Sequence, residues 1–175
     1  MTLHTLTIRP AGSSDLPALG RLGALLVRLH HDFDPERFIA ATDETERAYG
    51  SWLGGRIGAP DAVILVAERD GEVVGYAYGG IEGTDYLTLR GPAGVLYDLM
   101  VDPDHRGEGV GRALLKAALS ALEARGTPRA VLVTAHRNVS AQRLFVRAGF
   151  RPTMVEMTRE TEVPPLGTSP ASPGL

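Results

Sequence analysis

The sequence predicts a single α/β domain built around a mixed sheet that is covered by helices. Three observations predict this class. Segments with strand-like and helix-like periodicity alternate along the chain, as is typical of α/β proteins. Two apolar segments are joined by Asp70-Gly71, a dipeptide favoured in tight hairpins. A further apolar strand leads through a glycine-rich loop into an amphipathic helix, an order that is common in sites for anionic ligands.

The first third of the chain is predicted to form one short strand and two helices. Residues 6–9 alternate as in a strand. The serines before Asp15 are expected to cap a helix of about 15 residues. Residues 30–38 interrupt the helical pattern, and a second helix is expected over residues 42–57. Trp52 occupies a helical position there and is interpreted as a core residue.

The later segments supply the rest of the sheet and its remaining helices. Asn138 or Ser140 is expected to cap the last helix, which stops at Gly149. The predicted elements are strands at 63–69, 72–81, 95–101 and 130–134, helices at 111–125 and 138–148, and a last strand or hairpin at 150–161. The domain is expected to span residues 1–162, followed by a disordered Pro-, Ser- and Gly-rich tail at 163–175.

Composition restricts the class of protein. The 175 residues are 43% hydrophobic and include no cysteine, which fits one domain with a core of normal size. The lack of cysteine excludes disulfides, cysteine zinc sites and a thiol nucleophile. The sequence has no long apolar run and no basic-then-apolar leader, so we expect a cytoplasmic protein without membrane contact.

The charge is unevenly distributed. The net charge is −3, yet residues 95–151 carry 9 basic and 5 acidic side chains. This positive segment contains the glycine-rich loop. The pattern favours a small polyanion and not a nucleic acid, because no long basic face with interleaved aromatic residues is present.

The glycine-rich loop, residues 106–111, has the sequence Arg-Gly-Glu-Gly-Val-Gly. The first turn of a helix leaves N–H groups without partners, and glycines let a phosphate group approach that backbone closely. A Walker A loop would need Gly-Lys-Ser/Thr, but Gly111 is followed by Arg112 and Ala113. A dinucleotide-binding loop would need a third glycine at position 112. Both nucleotide motifs therefore fail on spacing.

The loop matches a third pattern, Arg/Gln-x-x-Gly-x-Gly/Ala, after a strand that ends Leu-Met-Val-Asp-Pro. Together with the later run Asn-x-Ser-Ala-x-x-Leu-Phe-x-x-Ala-Gly-Phe from residue 138, it resembles the GNAT superfamily of N-acetyltransferases. The resemblance implies a mostly antiparallel sheet and acetyl-CoA as cosubstrate. It implies cofactor contacts from Leu99, Met100, Val101, Arg106, Gly107, Glu108, Gly109, Val110, Gly111, Arg112, Asn138 and Phe145.

The resemblance also directs attention to the central strand for the residues that move protons. Many members have an acidic residue or histidine at the position of Tyr97 or Val95, and here neither is acidic. Asp98 is the only carboxylate in the strand and is the candidate base or anchor for the acceptor amine; a purely structural carboxylate is the alternative. Tyr97 is the second catalytic candidate. Regular alternation would put Tyr97 and Leu99 on one face and Asp98 and Met100 on the other.

Phe145 departs from the family pattern. Many members have a tyrosine here, whose hydroxyl can protonate the leaving thiolate. We therefore expect Phe145 to neighbour the cofactor without acting as an acid. Three interpretations stay open: a slower enzyme, an enzyme that takes the proton from Tyr97 or another tyrosine, and an acyl-CoA-binding module without catalysis.

The connection between the first two helices forms one wall of the acceptor site in GNAT folds. The candidates for substrate contact are therefore His30, His31, Phe33 and Asp34. The adjacent histidines lack the accompanying ligands of a metal site, so no metal is expected. The expected acceptor is a small-molecule or peptide amine. Superfamily members are often dimers, so the resemblance also allows a homodimer.

Overall fold

The computed structural model describes residues 5–161, and in this range five strands form one sheet in the order β1-β2-β3-β4-β5. Four α-helices cover the sheet, and short 3-10 turns occupy Ser13–Asp15 and Pro103–His105. The elements are β1 (Leu6–Pro10), α1 (Leu16–Phe33), α2 (Thr45–Gly54), β2 (Ala62–Arg69), β3 (Glu72–Glu82), β4 (Ala93–Val101), α3 (Val110–Glu123), β5 (Ala130–Leu132) and α4 (Val139–Arg147).

The sheet is mixed and mostly antiparallel, as predicted. Strands β1 to β4 pair antiparallel, and only β5 runs parallel to its neighbour β4. The β2–β3 hairpin is confirmed, with φ values of 52° at Asp70 and 84° at Gly71. Both turn residues therefore have the positive φ that this hairpin requires.

Each face of the sheet has its own core. Helices α1 and α2 cover one face, where the buried residues include Leu19, Leu22, Leu53, Val66, Tyr76 and Met100. Helices α3 and α4 cover the other, with Val74, Ala77, Leu96, Leu114, Leu115 and Phe145. The side of the sheet on which a β4 side chain lies therefore decides which helices it meets.

Three glycines bring α1 and α2 unusually close together. A Cβ on Gly20 would lie 2.2 Å from the Glu46 carbonyl oxygen, and one on Gly23 would lie 2.0 Å from the Tyr49 ring. A Cβ on Gly50 would lie 2.8 Å from the backbone of α1. Only glycine fits at these positions, because real Cβ atoms do not approach other atoms so closely. The contact directs Tyr49 towards the sheet.

Several predicted boundaries are corrected. Helix α1 continues to Phe33 through the supposed interruption, and it ends where Asp34, extended at φ −158° and ψ 93°, precedes Pro35. Helical geometry is disfavoured for a residue that precedes a proline, which explains why the helix ends here. The end of α1 therefore lies later in the chain than predicted. Helix α2 is shorter than expected at both ends. Trp52 is 51% exposed, so its assignment to the core is wrong.

The end of the domain also differs from the prediction. No strand or hairpin forms in residues 150–161; residues 151–161 are exposed and lack regular structure. Pro152 lacks an N–H donor for a sheet, and Glu156 instead pairs with Arg37. The predicted tail at 163–175 lies outside the described residues, as do residue 162 and residues 1–4.

Candidate active site

A cleft opens where β4 and β5 separate. The two strands pair only from Gly94–Ala130 to Leu96–Leu132, although β4 continues to Val101. Among residues 5–161, the β5 side of β4 therefore has no strand partner beyond Leu96. The gap forms a cleft of about 270 Å³ whose lining residues come from β4, the β5 end, α4, and α1 with the loop that follows it.

A bulge in β4 lies where Tyr97 and Asp98 line this cleft. The β3–β4 register passes from Tyr78–Asp98 to Gly79–Leu96, so Tyr97 is the extra residue. Leu96 packs with the α3 and α4 core, whereas Met100 packs with the α1 and α2 core. The predicted regular alternation is therefore wrong, because the bulge switches the face that the strand presents.

Asp98 lies at the centre of a hydrogen-bonded cluster at the cleft. Its Oδ2 accepts hydrogen bonds from the hydroxyls of Tyr49 (2.6 Å) and Tyr76 (3.1 Å). Burial raises the pKa of Asp98, although the two hydroxyls and the nearby His30 oppose the rise. Burial and the adjacent Asp98 charge raise the pKa of Tyr49 and of Tyr76. Both tyrosines therefore stay protonated and act as donors.

Tyr97 lies beside this cluster but has a different partner. Its hydroxyl donates to Glu82 Oε1 at 2.6 Å, and its ring packs 4.9 Å from the Tyr78 ring. Burial, and then the bond to Glu82, raise the pKa of Tyr97. Its proton is thus held by a carboxylate, which makes it a poor acid unless that bond breaks.

The residues predicted to hold an anion form the start of α3. Gly107 and Gly109 have φ values of 80° and 84°, and a Cβ on either would meet no protein atom within 4 Å. The Ala113 N–H donates to the Gly109 carbonyl oxygen (3.0 Å), so the N–H groups of Val110, Gly111 and Arg112 precede the first bond of the helix. This end carries partial positive charge and free donors.

The charged side chains of the loop divide into two groups. Within residues 5–161, Arg106 and Arg112 form no ion pair. Glu108, in contrast, pairs with Arg69 and lies 3.4 Å from His105 Nδ1. Its carboxylate is therefore engaged with Arg69, and the two arginines are the loop side chains available to an anion.

The predicted contacts from β4 and α4 lie along the same path. Leu99 lines the cleft. Val101 lies next to Gly111, since a Cβ added to Gly111 would be 3.5 Å from a methyl group of Val101. The Met100 side chain is buried in the opposite core, which leaves only its backbone for a ligand. Asn138 lines the cleft while its Oδ1 caps α4 by accepting the Ala141 N–H.

Phe145 also lines the cleft, from within the α3 and α4 core, where it is 8% exposed. Its ring packs edge-on against Phe150, with centroids 6.0 Å apart. The side chain is thus placed as a neighbour of whatever occupies the cleft. It brings no proton to that position.

Of the four predicted acceptor contacts, only His30 lines the cleft. Its Nδ1 donates to the Leu26 carbonyl oxygen at 2.9 Å, which leaves Nε2 for other contacts. His31 instead bonds the Phe38 carbonyl oxygen, and the Phe33 carbonyl oxygen accepts from Arg137. Asp34 forms the end of α1.

Sequence reasoning missed several residues of the site. Phe38 and Ile39 line the cleft from the loop after α1, and the Tyr49 hydroxyl reaches the Asp98 carboxylate from α2. The glycines at 20, 23 and 50 were the available signal for Tyr49, because small residues on two adjacent helices indicate close packing.

No grouping of three or more histidines and carboxylates in residues 5–161 is suited to a metal ion. No helix in that range is long and apolar enough to cross a membrane.

Comparison with known proteins identifies the family. Residues 26–150 match the family model described as Acetyltransferase (GNAT) family. The chain belongs to the GNAT acetyltransferase family. The resemblance drawn from the glycine loop and the Asn138 segment is thereby confirmed.

Curated GNAT relatives include mycothiol acetyltransferases. The chain is 32% identical to that of Acidothermus cellulolyticus over 83% of its own length and 43% of the relative's. It is 39% identical to that of Thermobispora bispora over 51% of its length and 30% of the relative's. The chain thus spans less than half the length of these relatives.

Solved structures share this GNAT fold at lower identity. The BH1408 protein from Bacillus halodurans, in a mutant form, has a TM-score of 0.76 at 21% identity, covering 89% of this chain and 99% of that one. Aminoglycoside N-acetyltransferase AAC(6')-Iy in complex with CoA has a TM-score of 0.66 at 20% identity, covering 91% and 97%. These similarities establish the fold of the chain.

Proposed function

We propose that this chain transfers an acetyl group from acetyl-CoA to a primary amine by direct attack in a ternary complex. The observation that carries the proposal is the continuous path along β4, from Asp98 in the cleft to Val101 beside the start of α3. Within the part of the chain that the structure describes, one end of the path has N–H donors without a protein partner and two arginines that form no ion pair. The other has a carboxylate. An acyl donor with a phosphate tail and an amine would meet between them.

The residues present fit CoA. The N–H groups at the start of α3 suit a pyrophosphate, and the open space over Gly107 and Gly109 lets it approach the backbone. Arg106 and Arg112 add positive charge. The unpartnered side of β4 can hydrogen-bond an amide-containing chain as a further strand would. Acetyl-CoA supplies the acetyl group as a thioester.

The chemistry needs a neutral amine and a proton for the leaving thiolate. An ammonium group first loses one proton and becomes a neutral amine. Its nitrogen then forms a bond to the acetyl carbon and loses a second proton as the C–S bond breaks. The thiolate that leaves takes up one proton, so that one proton is released overall. We assign Asp98 to hold the ammonium group and to receive its proton, directly or through water. Its raised pKa makes it a better proton acceptor than an ordinary aspartate.

The acceptor is inferred from the cleft lining. Besides Asp98 and His30, the part of the cleft formed by α1 and the loop after it carries apolar side chains that include Leu26, Phe38 and Ile39. We therefore favour a cationic amine next to an apolar group. The relatives and neighbours are named for mycothiol and aminoglycosides, so amines of both classes belong in an acceptor panel.

A cytoplasmic location and a homodimer are part of the proposal, supported by composition and by family resemblance.

The test is a thiol-release assay with acetyl-CoA and a panel of primary amines, with mass spectrometry of the products. We expect an acetylated amine for at least one cationic acceptor. Acetyl-CoA that binds but is consumed with no amine, peptide N-terminus or aminoglycoside would contradict the proposal.

A second candidate, an acyl-CoA-binding module, is favoured by one observation. Phe145 lines the cleft where many members have an acid, and the Tyr97 hydroxyl is held by Glu82. Phe145→Tyr separates the candidates. In an enzyme that lacks only the acid, the new hydroxyl is expected to raise kcat about tenfold or more. Turnover by neither form would support the binding module.

A further inference from the structure

The position of Tyr49 is set by the close packing of α1 and α2. Its ring lies over Gly23, where any Cβ would overlap it, and packs edge-on against Trp52 at 5.3 Å. From there the hydroxyl reaches 2.6 Å from Asp98 Oδ2, 49 residues further along the chain. Neither ring contact involves the hydroxyl, so the two parts of this side chain can be separated experimentally.

The two carboxylate oxygens of Asp98 have different surroundings. Oδ2 accepts from both Tyr49 and Tyr76, whereas no hydrogen bond from any residue in 5–161 reaches Oδ1. Three titratable groups face this carboxylate: Tyr49 from α2, Tyr76 from β3 and His30 from α1. A carboxylate held through one oxygen presents the other in a fixed direction, and Asp98 lines the cleft.

Building on the proposed acetyl transfer, we propose that Tyr49 is a positioning residue whose hydroxyl fixes the Asp98 carboxylate so that Oδ1 receives the ammonium group of a cationic acceptor. Tyr76 gives a second bond to the same oxygen, at 3.1 Å. Tyr76 belongs to β3 and is fully buried, so its hydroxyl holds Asp98 Oδ2 from the sheet. Tyr49, in contrast, reaches Asp98 from α2, which packs against α1. Selection for charged over neutral amines would therefore depend on a residue that need not touch either substrate.

The test is Tyr49→Phe, which keeps the ring contacts and removes only the hydroxyl. With the best cationic acceptor from the panel, we expect kcat/KM to fall about tenfold, as for the loss of a hydrogen bond to a charged group. With an aromatic amine, which is neutral at pH 7, the fall should be much smaller. The affinity for acetyl-CoA should not change.

The pH dependence of kcat/KM distinguishes a positioning role of Tyr49 from a merely structural one. The Tyr49 hydroxyl favours the charged form of Asp98, so its loss should raise the pKa of Asp98 further. The acidic limb of kcat/KM should then move to higher pH. A structural role would instead lower activity with all amines alike and leave the limb in place.

The outcomes separate this inference from the proposed function. If the wild type acetylates a cationic amine and Tyr49→Phe changes neither the preference for charged amines nor the acidic limb, the positioning role is wrong and the enzyme assignment stands. If the wild type acetylates no amine, both fail. A thermal melt with acetyl-CoA confirms that the variant is folded and binds.

Discussion

The two halves of the proposed site are built in different ways. The start of α3 offers backbone N–H groups from one contiguous segment, residues 107–112, shaped by positive-φ glycines. The Asp98 cluster instead joins side chains from β4, α2 and β3, and one of its hydrogen bonds spans 49 residues of sequence. The first half suits binding of a constant ligand, and the second suits chemistry that varies with the acceptor.

The difference teaches where each half is sensitive to mutation. Side-chain changes can hardly remove backbone donors, so the α3 end is vulnerable chiefly at its glycines. The Asp98 cluster depends on single functional groups, each of which can be deleted. Substitutions should therefore separate acetyl-CoA binding from acetyl transfer.

The largest effect is expected for Asp98→Asn. The amide cannot accept the amine proton and carries no charge for an ammonium group, so kcat/KM for a cationic acceptor should fall by about 10² or more. Steady-state kinetics at saturating acetyl-CoA measures this. A variant with unchanged rates would show that Asp98 is a structural carboxylate.

The next largest effect is expected for Gly109→Ala. The added Cβ meets no protein atom within 4 Å, so apart from the backbone strain of a positive φ it would intrude only on the ligand. We expect the affinity for acetyl-CoA to fall about tenfold, or about 1.4 kcal/mol. Thermal shift over a series of acetyl-CoA concentrations measures it.

The control for this glycine is Gly126→Ala. Gly126 lies just beyond the far end of α3 with φ 79°, close to the 84° of Gly109, and it too has open space around it. Both variants bear a similar backbone cost, about 1–2 kcal/mol. Equal loss of acetyl-CoA affinity in the two variants would mean that strain, and not the ligand site, is responsible.

A smaller effect is expected for Arg112→Gln. An exposed cation near a phosphate is worth about 0.5–1 kcal/mol, so the affinity for acetyl-CoA should fall about two- to fivefold. The loss should be less at high salt, because salt screens exposed charges. Arg125→Gln, just past the other end of the helix, is the matched control and should not alter binding.

The smallest expected change is in the stability of Asp98→Asn. Burial raises the pKa of Asp98 in the folded protein, so ionisation of this residue above that pKa disfavours folding. Removing the charge should therefore raise Tm at pH 8, and the gain should shrink as the pH falls and Asp98 becomes protonated. A gain that grows on acidification would contradict the direction of the shift.

The contrast between the halves also explains what the sequence could predict. The glycine loop, the hairpin at Asp70-Gly71 and the Asn138 cap were predicted because each is encoded within a few adjacent residues. These local signals predicted the α3 end of the site.

The parts that were missed depend on distant residues. The bulge at Tyr97 is an outcome of pairing with β3, and no local pattern marks it. Tyr49 joins Asp98 only because α1 and α2 pack through glycines on both helices. The expected strand at 150–161 has the right residue types, but in residues 5–161 it finds no partner in the sheet.

The most direct test of the two-part site is calorimetric titration of acetyl-CoA into the wild type, Asp98→Asn and Gly109→Ala. We expect the wild type to bind, Asp98→Asn to bind within about twofold of it, and Gly109→Ala to bind about tenfold more weakly. No binding by the wild type, or equal weakening in both variants, would contradict a backbone site for the cofactor that is separate from the carboxylate that acts on the amine.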